Sequence, residues 1–117
     1  MKNSKVLFII ASGPQEIERA RQGLRIARNM AREKLATVKI LFVGPGVYLL
    51  DPANPHYRLV QDYLKALNEA KAYVAVCAGN LRAYGLAEKV DKTLVVFDDS
   101  TAVVAEATAE GCLLITF

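Results

Sequence analysis

Apolar positions along this chain fall into two alternating rhythms. Val6-Leu7-Phe8-Ile9-Ile10-Ala11 is an unbroken apolar run, the pattern of a strand covered on both faces. Ser12-Gly13-Pro14-Gln15-Glu16 interrupts it. Ser12 or Gly13 can cap a helix, Pro14 suits its first position, and Glu16 suits its first turn. From there to about Lys34, Ile17, Ala20, Leu24, Ala27 and Ala31 recur at spacings of three and four, one apolar stripe of a helix. Thr37 to Val43 is β-branched and apolar and predicts a second strand. It exits through Gly44-Pro45-Gly46-Val47-Tyr48-Leu49-Leu50, a glycine-rich loop whose four apolar residues need a cover: they pack over a site, dock a second subunit or start a short helix. Asn54 as cap and Pro55 at the first position open a second helix. Its apolar face is Leu59, Val60, Tyr63, Leu64 and Leu67.

The second half repeats the alternation with shorter elements. Tyr73 to Val76 predicts a short buried strand that delivers Cys77 to its end. Ala78, Gly79 and Asn80 supply small and turn-forming residues, and Leu81 to Tyr84 can open a helix. Ala87 to Lys92 is polar and connecting, and Thr93 to Phe97 predicts a fourth strand. One of Asp98, Asp99, Ser100 and Thr101 caps a helix that continues to about Glu110. Gly111 is placed to end that helix in a left-handed conformation, and Cys112 to Phe117 is a last apolar strand.

Five strands alternating with four helical segments predict a single domain over residues 1–117. The architecture is α/β: a three-layer α/β/α sandwich around a five-stranded, mainly parallel sheet. Right-handed crossovers put helices on both faces, and ligands in such sheets bind beyond the carboxyl ends of the strands. Ser12-Gly13, Gly44 to Leu50, Cys77 to Asn80 and Asp98 to Thr101 all fall at that edge. Cys77 is the one strong nucleophile among them. A thiol at a strand end, facing the first turn of a helix, lies near unpaired N–H groups and the positive end of the helix dipole. Both favour a thiolate. A free cysteine is also among the most buried residue types, and an inert core thiol is the competing reading.

Composition narrows the picture further. With 117 residues, 53% of them hydrophobic, the chain can build one well-packed core. No apolar run reaches the ~18–20 residues of a membrane span. The basic start at Met1 to Lys5 followed by Val6 to Ala11 raises a signal peptide. The run is short, lacks a clear cleavage site and leads into a polar helix, so a first strand fits better. A net charge of +3 does not by itself make a nucleic-acid binder. Arg21, Arg25, Arg28 and Arg32 recur on one face of the first helix. With Glu18 and Glu33 nearby and no interleaved aromatics, they read as a solvated face rather than a site for an anionic partner.

Two cysteines without a CxxC pair and one histidine exclude the usual zinc and iron–sulfur patterns. No metal or organic cofactor is expected. The glycines of Gly44 to Gly46 lack the Gly-Lys-Ser/Thr of a phosphate loop, and Gly13 alone is no dinucleotide fingerprint. Asp98 and Asp99 read as a cap rather than a cation site. His56 reads as a surface residue, and Cys112, at the start of its strand, as structural at the edge opposite Cys77. Nothing in the sequence indicates export, so a reducing cytoplasm is expected.

Cys77 with Gly85 eight residues later and apolar Leu86 after it resembles the site segment of the DsrE/DsrF-like sulfur-relay proteins. That family includes the Tus relay subunits of tRNA thiolation. Gly46-Val47 with Leu49-Leu50 resembles the loop that in the family lies beside the cysteine. The resemblance covers nearly the whole chain as a strand–helix pattern and implies the strand order 4-3-2-1-5. It implies a sulfur carrier or sulfurtransferase holding sulfane sulfur as a persulfide on Cys77. The backbone at Ala78, Gly79 and Asn80 would stabilise the thiolate, with Arg82 as charge partner, and Gly13, Gly46, Val47 and Tyr48 would shape the pocket. Relatives often carry arginine just before the glycine, where this chain has Tyr84. Implied partners are donor and acceptor proteins and further copies of the chain, as dimer, trimer or hexamer. Two alternatives stand beside this: a non-catalytic assembly module joined through Val47 to Leu50 and the apolar helix faces, and a small-ligand module using the glycine turns.

Overall fold

The computed structural model describes residues 4–117. Strands β1 (Lys5–Ile10), β2 (Thr37–Phe42), β3 (Tyr73–Cys77), β4 (Val96–Asp98) and β5 (Leu113–Thr116) form one sheet in the order β4-β3-β2-β1-β5. Every neighbouring pair is parallel. Helices α1 (Ile17–Arg32), α2 (Tyr57–Glu69), the short α3 (Ala78–Ala83) and α4 (Ser100–Ala109) fill the connections. The strand order is the one the family resemblance implies.

The apolar runs of β1 and β2 are used on both faces. Phe8, Ile40, Phe42 and Val76 pack with Ala20, Leu24 and Ala27 of α1 and Val60, Leu64 and Leu67 of α2. On the other face Leu7, Leu41 and Ala75 meet Val103 and Ala107 of α4. Both right-handed crossovers β1–α1–β2 and β2–α2–β3 run in one direction, so they share a face. The return from β4 to β5 passes over the opposite face with α4 alone. The sandwich is therefore lopsided, and the α4 side is the thin one. Among the described residues no helix is long and apolar enough to cross a membrane.

Three segments differ from the sequence expectation. The fourth strand is Val96–Asp98 rather than Thr93 to Phe97. The Asp91 carboxylate accepts from the Thr93 N–H at 2.9 Å and from the Thr93 hydroxyl at 2.6 Å, and Leu94 N–H donates to the Asp91 carbonyl. That turn uses up the first residues of the run, and Asn68 takes the Leu94 carbonyl at 2.9 Å. The second helix starts at Tyr57 rather than Pro55, because the Asn54 side chain accepts from His56 N–H and donates to the Leu49 carbonyl, closing a turn instead of a first helical turn. Gly44–Leu50 is a 3₁₀ segment rather than an open loop, the short helix among its alternatives. Val47, Leu49 and Leu50 are 0, 0 and 2% exposed. Their cover is the chain's own core, so these three cannot form an interface between copies.

Candidate functional site

Cys77 is the last residue of β3 and the N-cap of α3, with an extended backbone and its sulfur accepting the Asn80 N–H at 3.4 Å. β4 brings a second helix start to the same place. Asp98 is the β4 residue paired with Cys77. The chain then turns through Asp99, whose carboxylate accepts the Thr101 N–H at 3.1 Å as the cap of α4. Ser100 consequently lands with its Oγ 3.5 Å from the Cys77 sulfur. The sulfur thus lies between the first turns of α3 and α4.

Cys77 is 8% exposed. Burial pushes its thiol up, but the Ser100 hydroxyl and the backbone N–H groups of Asn80, Gly79 and Ser100 outweigh it and hold the thiol below its ordinary value. All four are donors that stabilise the anion. The thiol donates to Ser100 Oγ when protonated, and the hydroxyl can turn to donate to sulfur when it is ionised.

The expected site residues separate into groups. Ala78, Gly79 and Asn80 form the first turn of α3 around the sulfur. Asn80 also ties the site to the exit of β2, because its Oδ1 accepts the Gly44 N–H at 2.8 Å. Gly46 and Val47 support that exit from below. A Cβ on Gly46 would lie 2.1 Å from the Ile10 carbonyl oxygen, so only glycine lets the turn pass so close to β1. Val47 is wholly in the core, holding the turn rather than lining a pocket. Gly13 and Tyr48 line an open cleft of about 550 Å³ with Pro14, Pro45, Asp51 and Asn54. The Gly44–Leu50 segment stands between β1's exit and Cys77, and Cys77 takes no part in that cleft.

Arg82 is exposed in the last turn of α3, at the end away from the sulfur. Tyr84, in the place where relatives often have arginine, stacks on Tyr48 with ring centroids 4.8 Å apart. Gly85 has φ +69° and closes α3 in the left-handed region, which gives the glycine eight residues past the cysteine a backbone reason. Three of the four arginines in the row find partners on α1 or on α2. Arg21 pairs with Glu18 at 3.0 Å, Arg25 with Gln22 at 2.8 Å, and Arg28 lies over the Tyr63 ring at 5.0 Å.

Ser100 is the sulfur's side-chain partner that the sequence does not single out: it falls within the Asp98 to Thr101 segment at the strand ends and is one of four possible caps there. A signal was available: in the order 4-3-2-1-5 the end of the fourth strand lies beside the end of the third. The misplaced strand start hid the register that sets Ser100 against Cys77. On the α4 side of the site, Ile9, Leu41, Val43, Ser100, Thr101 and Val104 line an open, mainly apolar groove of about 480 Å³. Among the described residues no three His, Cys, Asp or Glu side chains gather closely enough to hold a metal ion.

The sequence profile of the DsrE/DsrF-like family matches residues 4–117. No curated protein matches the chain. Several solved structures share the fold at low identity. A protein of unknown function, MTH1491 from Methanobacterium thermoautotrophicum, superposes with a TM-score of 0.76 at 16% identity, over 98% of this chain and 100% of its own. BT1422 from Bacteroides thetaiotaomicron, also of unknown function, gives 0.77 at 13% identity, over 97% and 95%. The ychN protein from E. coli gives 0.73 at 15% identity, over 97% and 99%.

Proposed function

The chain belongs to the DsrE/DsrF-like family, and from that membership we propose that it is a sulfur carrier or sulfurtransferase working through a persulfide on Cys77. The observation that carries the reading is the sulfur's seat: a nearly buried thiol at a strand end, held toward its anion by Ser100 and the backbone of α3 and α4. An inert core thiol would be packed by apolar groups that raise its pKa.

In loading, the Cys77 thiolate attacks the outer sulfur of a donor persulfide. A Cys77–sulfur bond forms, the donor's S–S bond breaks, and the donor leaves as its thiolate. In unloading, an acceptor thiolate attacks the outer sulfur of Cys77–S–SH and Cys77 leaves as thiolate. Exchange runs fastest when the attacking thiol titrates near the ambient pH and the leaving thiolate is stabilised. The same donors serve both steps, because Cys77 is nucleophile in one and leaving group in the other. No metal or organic cofactor takes part in this sequence. Donor and acceptor are proteins of the same reducing compartment, the cytoplasm, and nucleic acid is no partner.

Self-association fits the two edge strands of the sheet. Leu113, Leu114 and Val96 are 62, 38 and 48% exposed on the two edge strands, and apolar edges of this kind favour pairing with another chain. The same edges support the second reading, an assembly module in which Cys77 is a core residue. Intact mass after exposure to a persulfide donor, on wild type and Cys77→Ser, separates the two. A gain of one or more sulfur atoms, reversed by reductant and absent in the variant, supports the carrier. No gain, or an equal gain in the variant, leaves the assembly module.

A further inference from the structure

Tyr73 opens β3 on the same sheet face as Cys77, since the two are four residues apart on one strand. Its hydroxyl donates to Oδ2 of Asp98. The other oxygen of that carboxylate accepts the Asp99 N–H at 2.8 Å. Asp98 is also the β4 residue paired with Cys77, and neighbouring strands lie only ~4.8 Å apart. Because the Asp98 side chain reaches Tyr73, it projects on the sheet face that also carries Cys77. Turned toward the carboxyl edge, this carboxylate would lie beside the sulfur and oppose the thiolate. The hydrogen bond to Tyr73 instead draws it back along the sheet toward the start of β3, where Lys39, Val103 and Glu106 complete a small pocket with the pair.

We propose that Tyr73 is a positioning residue for Cys77: it holds the Asp98 carboxylate down the sheet face and so keeps that negative charge off the thiolate. Tyr73 and Cys77 stand at opposite ends of β3, so the action of Tyr73 passes through Asp98. The charge states suit the role. The Tyr73 hydroxyl and the Asp99 N–H hold Asp98 below the usual carboxylate range, so it is an anion at neutral pH. Burial and then Asp98 push Tyr73 up to about 12, so it remains a donor.

The groups facing this unit are few. Asn80 and Ser100 bond the sulfur from α3 and α4, and neither titrates near neutrality. Asp99 follows Asp98 on the turn and caps α4. Lys39 of β2 and Glu106 of α4 share the pocket of the Tyr73–Asp98 pair. Lys39 is raised by its hydrogen bond to Glu110 and stays a cation. Cys77, held below its ordinary value, is the thiol whose titration this set can move.

The inference deepens the sulfur-carrier reading and takes the thiolate's purpose from it. Its test uses no sulfur donor, so the two fail separately. The rate of alkylation at Cys77 by a small neutral haloacetamide is followed against pH, with the labelled peptide resolved by mass so that Cys112 is not counted. Tyr73→Phe is expected to raise the midpoint by ~0.5–1 pH unit and slow labelling at pH 7 about two- to fourfold. Adding Asp98→Asn in the same chain removes the released charge and should return the midpoint to the wild-type value or below. Asp98→Asn alone should leave it unchanged or lower it, and this arm stands even if Tyr73→Phe folds poorly. An unmoved midpoint in Tyr73→Phe, a rise that persists in the double variant, or a rise in Asp98→Asn alone would each overturn the proposal.

Discussion

Replacing Ser100 by alanine tests whether the second helix start shapes the chemistry of Cys77. The hydroxyl lies 3.5 Å from the sulfur, and its loss leaves the backbone N–H groups of Asn80, Gly79 and Ser100 in place. A hydrogen bond to a charged group is worth ~1.5–3 kcal/mol at good geometry. At this distance, and to a diffuse sulfur anion, about 1 kcal/mol is a fair value, which is ~0.5–1 pKa unit upward. The thiolate fraction at pH 7 then falls about three- to tenfold. Intrinsic nucleophilicity rises with pKa along a Brønsted slope of ~0.4–0.5, recovering part of the loss. The net expectation is labelling about two- to fourfold slower at pH 7 and about two- to threefold faster on the alkaline plateau.

The crossing of the two pH profiles is the diagnostic feature. Merely opening the site would speed labelling at every pH, and unfolding would do so with loss of the thermal transition. Ser100→Thr keeps the hydroxyl and should track wild type. A midpoint that stays put or falls in Ser100→Ala would refute the claim that this hydroxyl holds the sulfur toward its anion.

Three further outcomes follow from the geometry. Gly46→Ala forces a Cβ to within 2.1 Å of the Ile10 carbonyl oxygen, a backbone atom that also accepts the Val43 N–H. Urea unfolding should show a loss of ~3 kcal/mol or more, and a loss below ~1 kcal/mol would mean that the β1–β2 approach yields easily. Asn80→Ala removes the acceptor for Gly44 N–H and keeps its own N–H on the sulfur. Stability should drop by ~1–2 kcal/mol with the Cys77 midpoint shifting less than in Ser100→Ala; an equal shift would show that the side chain acts on the sulfur. Tyr73, raised by burial and by Asp98 to about 12, lies above its unfolded value of ~10. Its contribution is therefore complete below about pH 10 and is lost as pH rises toward about 12. The stability gap between wild type and Tyr73→Phe should be constant from about pH 7 to 9 and shrink above about 10; a gap that widens there would contradict the assignment.

Much of the fold is a local property and could be read from neighbouring residues. The unbroken run from Val6 and the stripe from Ile17 to Ala31 announce a strand and a helix whatever surrounds them, because their periodicity is set over one or two turns. The place of Cys77 at a strand end followed by small residues was legible for the same reason, and so was the family. Where local chemistry offered two uses of one segment, pattern alone erred. Thr93 has the β-branched character of a strand, yet Asp91 two residues earlier draws it into a turn. The four apolar residues after Gly46 ask for a cover, and that the core takes Val47, Leu49 and Leu50 while Tyr48 stays exposed against Tyr84 is a matter of packing.

The sequence by itself determined the alternation of elements, the parallel α/β class and the placing of a cysteine at the carboxyl end of the third strand. Tertiary structure decided what surrounds that nucleophile. Ser100 lies 23 residues beyond Cys77, and Asp98 lies 25 beyond Tyr73. Both contacts depend on which residue of β4 stands opposite Cys77. That register is fixed by where β4 begins, which rests on the Asp91 turn and on Asn68 reaching across from α2. A shift of one residue along β4 would turn Asp98 to the opposite face and away from Tyr73, because side chains alternate along a strand. The sulfur's surroundings are thus set by pairings between distant segments, to which the periodicity of either segment alone is blind.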